Sequence, residues 1–197
     1  MTVFDYGAGN LHSLVKVLTG TGRRVALETD LRRAVHTELL VLPGVGAFAP
    51  AAARMAAGRA TARDALRDGL PCLGICLGQQ LLFDGSDEGP GEGLGLLSGR
   101  VTRLQATRVP HIGWNSLDDA TDSRFGPAAL HTAYYANSFV CRPADPSVVV
   151  AWSTHESDRF AAAVRTARTL GVQFHPEKSS APGVQFIRQF LDDVLPR

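Results

Sequence analysis

A cysteine flanked by two glycines is the feature of the sequence best suited to chemistry. Cys76 has Gly74 two residues before it and Gly78 two residues after it, within residues 71–83. The residues before Cys76 form a short apolar run typical of a buried strand, and residues 80–83 are predicted to continue as a helix. This is the layout of a nucleophile elbow, G-x-S-x-G, with cysteine in the place of serine.

A sharp turn from a strand into a helix suits a nucleophile for physical reasons. The turn projects the side chain out of the sheet, and its strained backbone can approach its neighbours only where they lack side chains. The N-terminus of the following helix favours a thiolate. A single cysteine at the end of an apolar strand is also typical of a buried structural residue, so the interpretation depends on finding a base.

His175 is the histidine best placed to act as that base. It follows a predicted strand over residues 170–174, and Glu177 lies two residues beyond it. Residues i and i+2 of an extended segment point to the same side, so the Glu177 carboxylate can hold the His175 imidazole. A nucleophile, a base and an acid that orients the base are the parts of a covalent acyl-transfer site. A His-Pro-Glu sequence by itself is also typical of a surface turn.

An acyl-transfer site also needs N–H donors for an oxyanion. The backbone N–H of Leu77, directly after the nucleophile, is one candidate. A second lies in the turn Gly44-Val45-Gly46, where glycines let the backbone lie close to a reacting carbonyl and let a peptide flip. The alternative for this turn is an ordinary connection between a strand and a helix.

The elements that must position these groups alternate along the first half of the chain. Strands are predicted over residues 1–6, 24–28, 39–42 and just before Cys76, and helices over residues 11–18 and 49–68. Strand–helix alternation with glycines at the ends of the strands predicts an α/β fold, with a doubly wound mixed sheet flanked by helices. Ligands of such sheets bind at the C-terminal ends of the strands, where the glycine turn and Cys76 both lie.

The second half of the chain has a different pattern. Residues 84–95 are rich in acidic residues, glycine and proline and are predicted to form a loop. Short strand-like runs follow over residues 101–104, 112–117, 133–140, 148–152, 160–164 and 170–174, and an amphipathic helix over residues 184–194 closes the chain. We expect the runs to form an antiparallel extension of the sheet. Because the sequence contains no repeat, low-complexity tract or linker, we expect one domain over residues 1–197.

Composition excludes several classes of function. The 197 residues are 45% hydrophobic and 20% charged, with a formal net charge of +1, so no global field favours nucleic acid or a membrane surface. Three cysteines give neither a disulfide framework nor a paired metal-binding pattern. The sequence lacks a signal peptide and an apolar run long enough to span a bilayer. We therefore expect a cytoplasmic protein without a metal or cofactor.

Five segments together resemble the class I (triad) glutamine amidotransferases, and among them the glutaminase subunits of imidazole glycerol phosphate synthase. The segments are residues 5–11, 43–48, 74–83, 109–115 and 173–179. The elbow and the Phe-His-Pro-Glu sequence are typical of the whole class. The sequences Asp-Tyr-Gly-Ala-Gly-Asn, Pro-His-Ile-Gly-Trp-Asn and Glu-Lys-Ser are more specific to the synthase subunits. The resemblance extends from residue 5 to the last helix.

This resemblance implies that the chain hydrolyses glutamine to glutamate and ammonia. Cys76 would attack the side-chain amide, His175 would take up and return the proton, and Glu177 would orient the imidazole. The same resemblance places an oxyanion hole at the amides of Val45 and Leu77. It also implies that glutamine is held by further residues near the elbow and in the second half of the chain: Gly46, Gln80, Ser138 and Phe139.

A partner protein is implied in the same way. In the family, ammonia passes through a protected channel to a cyclase subunit, a (β/α)8 barrel, with which the glutaminase forms a heterodimer. The cyclase makes imidazole glycerol phosphate and an aminoimidazole carboxamide ribotide (AICAR) in histidine biosynthesis. Asn10, Trp114 and Lys178 would lie at the interface, with Trp114 at the ammonia exit. Trp114 is also typical of a core aromatic residue, and Lys178 of a solvated surface charge.

Three positions depart from the family pattern. Gln79 stands where methionine is common, Asn137 where histidine is usual, and Phe139 where tyrosine is usual. None of them belongs to the triad, so the departures bear on glutamine affinity and regulation rather than on the class of reaction. A polar residue at position 79 must find a hydrogen-bond partner or face the interface.

Three other functions are compatible with parts of the pattern. One is a glutaminase that serves another acceptor, as in the anthranilate or pyridoxal phosphate pathways, against which the His-Ile-Gly-Trp-Asn segment argues. Another is a cysteine hydrolase or peptidase on a similar fold, which would have no requirement for glutamine. The last is a catalytically silent module that only binds a partner, against which the complete set of Cys76, His175 and Glu177 argues.

Overall fold

The structure is a computed structural model that describes residues 1–7, 11–126 and 129–195. The helices are α1 (His12–Thr19), α2 (Leu31–Ala34), α3 (Phe48–Met55), α4 (Arg59–Arg67), α5 (Leu77–Gln80) and α6 (Ser180–Val194). The strands are β1 (Thr2–Phe4), β2 (Ala26–Glu28), β3 (Leu40–Leu42), β4 (Cys72–Ile75), β5 (Gly85–Ser86), β6 (Gly99–Arg103), β7 (His111–Ser116), β8 (Thr132–Asn137), β9 (Phe139–Pro143), β10 (Val149–His155), β11 (Asp158–Thr166) and β12 (Thr169–Val172).

A mixed sheet, with seven strands in the described ranges, forms the centre of the fold. Its strand order is β10-β11-β12-β4-β3-β1-β2. The strands from β12 to β2 run parallel, whereas β10 and β11 add an antiparallel edge. Two smaller sheets, β5-β6-β9 and β7-β8, complete the second half of the chain. The predicted doubly wound α/β fold with an antiparallel extension is confirmed.

The central strands are buried on both faces, which explains their uninterrupted apolar sequences. In β3, the side chains of Leu40 and Leu42 join one hydrophobic cluster and that of Val41 joins another. The cluster around Leu40 includes Phe48 of α3, and the cluster around Val41 includes Phe190 of α6. Helices therefore cover both faces of the sheet and leave the ends of its strands open for a site.

The continuous helix predicted over residues 49–68 is wrong. α3 ends at Met55 and α4 begins at Arg59, with a 3-10 turn over Ala56–Gly58 between them. At Gly58 the chain passes very close to α2, because a Cβ added there would lie 2.8 Å from the Cβ of Leu31. The break allows α3 and α4 to pack around this contact.

The helix after the nucleophile is shorter than predicted, because α5 ends at Gln80 rather than continuing to Phe83. The carbonyl of Leu81 accepts the N–H of Leu94 at 2.7 Å, and the carbonyl of Phe83 accepts the N–H of Gly95 at 3.2 Å. A distant loop thus takes the carbonyl groups that a longer helix would use for its own hydrogen bonds.

Three smaller differences also separate structure from prediction. The strand predicted over residues 133–140 is two strands, β8 and β9, which belong to different sheets and meet at Ser138. The short helix α2 was not predicted, although Asp30 caps it by accepting the N–H of Arg32 at 3.0 Å. The loop predicted over residues 84–95 contains β5.

A buried cluster of charges fastens the β7–β8 connection to the rest of the fold. The side chains of Asp122 and Arg124 form an ion pair, and each is only 5% exposed. Arg124 also pairs with Asp193 of α6 at 2.5 Å, and Arg165 of β11 pairs with Asp122 at 2.8 Å. Burial alone would raise the pKa of Asp122, but hydrogen bonds and charges from Arg124 and Arg165 outweigh it and lower that pKa.

Asp122→Asn is expected to lower the free energy of unfolding by about 3 kcal/mol near neutral pH, because it leaves Arg124 buried with half of its charge partners. The pKa of Asp122 is lower in the folded protein than in the unfolded chain. Its contribution is therefore complete above about pH 4 and is lost as pH falls through the folded pKa. Urea unfolding at a series of pH values measures both effects.

Asp119→Asn is the matched control, since the Asp119 carboxylate pairs with Arg159 at the surface and its side chain is 72% exposed. That substitution is expected to change the free energy of unfolding by less than about 1 kcal/mol. Equal stability of the two variants at neutral pH would contradict the structural role given to the Asp122 cluster.

Among the described residues, no helix is both long and apolar enough to cross a membrane.

Candidate active site

Cys76 occupies the junction between β4, which ends at Ile75, and α5, which begins at Leu77. Its backbone has φ 45° and ψ −103°, a conformation that residues with side chains rarely adopt. The Cys76 N–H donates to the carbonyl of Val172 at 2.7 Å, which ties the turn to β12. Strain held in place by the sheet is the geometry of a nucleophile elbow.

The two glycines of the elbow are required by close approach of the backbone. A Cβ at Gly78 would lie 2.0 Å from the carbonyl oxygen of Leu42 in β3. A Cβ at Gly74 would lie 2.7 Å from the carbonyl oxygen of Gly78. Neither contact leaves room for a side chain, so the spacing of glycines around Cys76 follows from the packing of α5 against the sheet.

His175 and Glu177 lie next to this turn and are paired with each other. Nδ1 of His175 and Oε1 of Glu177 are 2.8 Å apart, and both side chains are almost fully buried. Burial opposes the charged imidazole, but hydrogen bonds and charge interactions with Cys76 and Glu177 outweigh it and raise the pKa of His175 to about 10. A raised pKa favours the protonated imidazole, which is the form that can act as an acid toward a leaving group.

A cavity of about 340 Å³ opens over Cys76. Its walls come from the turn after β3, the start of α5, the link between β8 and β9, and the segment after β12. The residues singled out from the sequence that line it are Gly44, Val45, Gly46, Cys76, Leu77, Gln80, Ser138, Phe139, His175 and Lys178. The structure thus brings the candidate nucleophile, base, oxyanion turn and substrate residues around one space.

The remaining candidates lie elsewhere. Glu177 is behind His175 rather than on the cavity wall. Trp114 lies on β7 and lines a different cavity. Asn10 is outside the described residues. Among the described residues, no group of three or more histidine, cysteine, aspartate or glutamate side chains is arranged to hold a metal ion.

Comparison with known proteins identifies the family. A family model described as glutamine amidotransferase class-I matches residues 2–194. Subunit HisH of imidazole glycerol phosphate synthase from Acaryochloris marina is 39% identical over 203 residues, which cover 98% of this chain and 94% of the relative. The HisH subunit from Synechocystis sp. is 38% identical over 205 residues, covering 98% of this chain and 96% of the relative. The chain belongs to the class I glutamine amidotransferases, in the group of the HisH subunits.

Solved structures agree with this placement at the level of the fold. A crystal structure titled glutamine amidotransferase superposes with a TM-score of 0.73 at 19% identity, covering 97% of this chain and 96% of that one. The structure of PurLQS from Thermotoga maritima superposes with a TM-score of 0.68 at 21% identity, covering 98% of each chain.

The Gly44-Val45-Gly46 turn of this class I amidotransferase has an anchor that sequence reasoning missed. The buried hydroxyl of Tyr6 donates a hydrogen bond to the carbonyl of Pro43, directly before the Gly44-Val45-Gly46 turn. Burial, and then the nearby Cys76, raise the pKa of Tyr6 well above its usual value, so the hydroxyl keeps its proton. The only signal for Tyr6 in the sequence was its place in the Asp-Tyr-Gly motif.

The same turn packs tightly against His175. A Cβ at Gly44 would lie 3.0 Å from Cε1 of His175 and from the side chain of Ile75. Gly46 has φ 107°, in the region that favours glycine. Both glycines are therefore needed for the turn to reach the elbow of the amidotransferase.

Two side-chain amides converge on one carbonyl in the cavity wall. The carbonyl of Phe139 accepts Nε2 of Gln80 at 3.0 Å and Nδ2 of Asn137 at 3.1 Å. Oδ1 of Asn137 is buried and has no hydrogen-bond partner among the described residues. Two of the three departures from the family pattern, Asn137 and Phe139, therefore lie in the cavity wall.

Glu88 is a second residue that sequence reasoning missed. Its carboxylate lies on the cavity wall, and Oε2 accepts the N–H of Phe48, the first residue of α3, at 3.0 Å. No spacing in the sequence connects this acidic loop residue with the elbow. Glu88 therefore adds an acidic residue to the cavity wall of the amidotransferase.

Gln79, the third departure, is fully buried and lies outside the cavity wall. Its Nε2 donates to the carbonyl of Ala161 in β11 at 3.3 Å, while Oε1 has no hydrogen-bond partner among the described residues. Gln79 thus meets the expectation that a polar residue here finds a partner, and that partner is the backbone of the sheet.

Ser179 links His175 to β8. Its hydroxyl donates to the carbonyl of His175 at 2.7 Å and accepts the N–H of Tyr134 at 2.9 Å. The N–H of His175 donates to the carbonyl of Tyr134 at 2.8 Å. Trp114 is paired with Tyr134 in the β7–β8 register, and their ring centroids are 6.2 Å apart. The backbone of His175 is therefore hydrogen-bonded to the β7–β8 hairpin.

Trp114 is not a core aromatic residue, because it is 53% exposed. Ile112, two residues before it on the same side of β7, is 64% exposed. Two large apolar side chains on one strand face form an uncovered surface of a kind that often marks a protein interface.

Proposed function

We propose that this chain is the glutaminase subunit of an imidazole glycerol phosphate synthase and releases ammonia from glutamine for a cyclase subunit. The observation that carries the proposal is the convergence at one cavity of a strained Cys76, a buried His175 paired with Glu177, and a glycine turn suited to an oxyanion. The full-length similarity to HisH subunits supports the choice of pathway.

In the first half of the reaction, the sulfur of Cys76 attacks glutamine and His175 holds the proton of the thiol. A bond forms between Sγ and the side-chain carbonyl carbon of glutamine, and the carbonyl electron pair moves onto the oxygen. The N–H groups of Leu77 and Val45 receive that oxyanion. His175 then gives its proton to the amide nitrogen, the C–N bond breaks, and ammonia leaves a γ-glutamyl thioester.

In the second half, water replaces ammonia. His175, now neutral, takes a proton from the water as it attacks the thioester carbon, and Glu177 stabilises the imidazolium that forms. The C–S bond breaks, the thiolate returns, and glutamate leaves. The two halves use one base and one oxyanion site, so a single arrangement of Cys76, His175 and the 44–46 turn is sufficient.

The cavity also has groups for the amino-acid end of glutamine. Glu88 places a carboxylate on its wall, which would attract the α-ammonium group. Gln80, Ser138 and Phe139 also line the cavity and would hold the remainder of the substrate. A zwitterionic substrate with a side-chain amide fits this distribution better than a peptide or an ester.

The released ammonia has to be delivered to a partner. Ammonia protonates in water near neutral pH and then has no lone pair, so we place the acceptor in a cyclase subunit, a (β/α)8 barrel, docked as a heterodimer. The exposed Trp114 and the cavity residue Lys178 belong to the proposed interface, together with Asn10. Because β8 holds the backbone of His175, docking on the β7–β8 hairpin would bias the catalytic geometry.

Glutamate release by the chain alone, with the cyclase, and with the cyclase plus its phosphoribulosyl ligand tests this proposal. We expect weak release by the chain alone and at least about tenfold stimulation in the complete mixture. Glutamate release that is the same with and without the cyclase would support the glutaminase activity but contradict the assignment to imidazole glycerol phosphate synthase. Glutamate release that fails in every mixture would favour a different cysteine hydrolase or a silent partner-binding module.

A further inference from the structure

Gln173 contacts the nucleophile from below the cavity and has no part in the function derived so far. Its side chain is fully buried, two residues before His175 and off the cavity wall. Nε2 of Gln173 lies 3.5 Å from Sγ of Cys76, within the range for a hydrogen bond to sulfur. Its backbone N–H donates to the carbonyl of Ala162 at 2.8 Å, so the sheet fixes the backbone position from which the Gln173 side chain extends.

The orientation of the Gln173 amide follows from a chain of hydrogen bonds that begins at a backbone carbonyl. The carbonyl of Phe139 can only accept, so the NH2 group of Gln80 must face it, at 3.0 Å. The same NH2 group lies 3.4 Å from Oε1 of Gln173. With Oε1 of Gln173 turned toward Gln80, its NH2 group is turned toward the sulfur of Cys76. The carbonyl of Phe139 therefore determines which way the side-chain amides of both Gln80 and Gln173 are oriented.

We propose that Gln173 is a catalytic residue that donates a hydrogen bond to the Cys76 thiolate, and so fixes the position of the sulfur and favours its ionised form. This role rests on the proposed function, because it concerns the same nucleophile. A hydrogen bond to an anion is about twice as strong as one between neutral groups. The donor is strongest in the free enzyme and weakens when sulfur becomes part of a neutral thioester, so it acts on the step that forms the reactive thiolate.

Gln79 shows that burial of a glutamine near the elbow does not by itself produce this contact. Both glutamines are fully buried, and both come from segments next to the triad. The amide of Gln79 donates to the carbonyl of Ala161 in the sheet, whereas that of Gln173 is turned to Sγ of Cys76. The two side chains therefore form a matched pair for substitution.

The test is the pH dependence of Cys76 alkylation by iodoacetamide, which needs neither glutamine nor a partner. Cys72 and Cys141 are buried, and burial raises the pKa of both thiols, to about 12 for Cys141, so they stay largely unreactive. In Gln173→Leu, we expect the pH at half-maximal alkylation to rise by about one unit and the kcat for glutamate release to fall about tenfold. Peptide mapping by mass spectrometry assigns the alkylated residue.

Gln79→Leu is the control and is expected to leave the pH midpoint of alkylation unchanged. Gln173→Asn keeps a buried amide but withdraws it from sulfur by one methylene, so it should shift the midpoint in the same direction as Gln173→Leu, and it replaces that variant if leucine prevents folding. Unchanged midpoints in folded Gln173 variants would overturn the proposal. Because alkylation does not depend on glutamine turnover, the result stands even if the parent protein releases no glutamate.

Discussion

Cys76→Ala is expected to reduce glutamate release by at least about 10⁴-fold, measured in the complex with the cyclase and its ligand. Alanine removes the sulfur that forms the thioester and retains the Cβ, so the elbow keeps its shape. The cavity, the His175–Glu177 pair and the exposed face around Trp114 are expected to remain. Binding of the cyclase, measured by calorimetry or gel filtration, should therefore be unchanged.

Cys72→Ala provides the control for this prediction. Cys72 is a second buried cysteine and the first residue of β4, at the opposite end of that strand from the elbow and off the cavity wall. Its substitution is expected to leave glutamate release within about twofold, with only the modest loss of stability that follows a small buried truncation. Retention of activity in Cys76→Ala, or loss of cyclase binding together with activity, would show that Cys76 has a structural role.

The strain at Cys76 adds a second readout to the same position. With φ 45° and ψ −103°, any residue with a Cβ is strained there, whereas glycine is not. Cys76→Gly is therefore expected to be more stable than Cys76→Ala by about 1 kcal/mol, after allowing for the greater freedom of glycine in the unfolded chain. Thermal unfolding of the two inactive variants measures the difference. Equal or reversed stability would indicate that the turn relaxes in solution.

The local parts of the site were the parts that the sequence could predict. Glycines two residues on either side of Cys76 indicated a close-packed turn, and the hypothetical Cβ contacts at Gly74 and Gly78 explain why. The i, i+2 relation of His175 and Glu177 placed imidazole and carboxylate on one side, and the structure puts them 2.8 Å apart. Both of these predictions used only residues that are close together in the sequence.

The parts that escaped prediction depend on contacts between distant segments. α5 ends at Gln80 because the carbonyls of Leu81 and Phe83 accept hydrogen bonds from the N–H groups of Leu94 and Gly95. Helix propensities of the residues in α5 do not indicate these contacts. The break at Ser138 arises because two sheets share one run of strand-forming residues.

Site residues escaped prediction for the same reason. Three of these side chains contact groups that are distant in the sequence: those of Tyr6, Glu88 and Gln173. Ser179 contacts the nearby carbonyl of His175, but through a side-chain direction that a sequence does not specify. A tyrosine in a turn motif gives no indication that its hydroxyl will reach Pro43. Periodicity and spacing therefore predicted the framework, the turn at Cys76 and the pairing of His175 with Glu177, whereas the contacts that anchor them required coordinates.

Gly78→Ala is expected to destabilise the fold by about 3 kcal/mol and to lower glutamate release by at least about 100-fold. The added Cβ would lie 2.0 Å from the carbonyl oxygen of Leu42 and 2.7 Å from its carbonyl carbon. β3 lies between β1 and β4 in the sheet and cannot withdraw, so α5 has to lift away. A shift of about 1 Å there moves Cys76 and the N–H of Leu77 relative to His175, and errors of that size in a catalytic arrangement are costly.

Gly85→Ala separates this effect from the general cost of replacing a buried glycine. A Cβ at Gly85 would meet Nη1 of Arg100 at 3.3 Å, the far end of a flexible side chain that can move aside. Urea unfolding should place Gly85→Ala within about 1 kcal/mol of the parent, with glutamate release in the complex nearly unchanged. If Gly78→Ala instead matched the parent in both measurements, α5 would have to sit farther from β3 than the structure shows, and the tight elbow would no longer account for the glycine after Cys76.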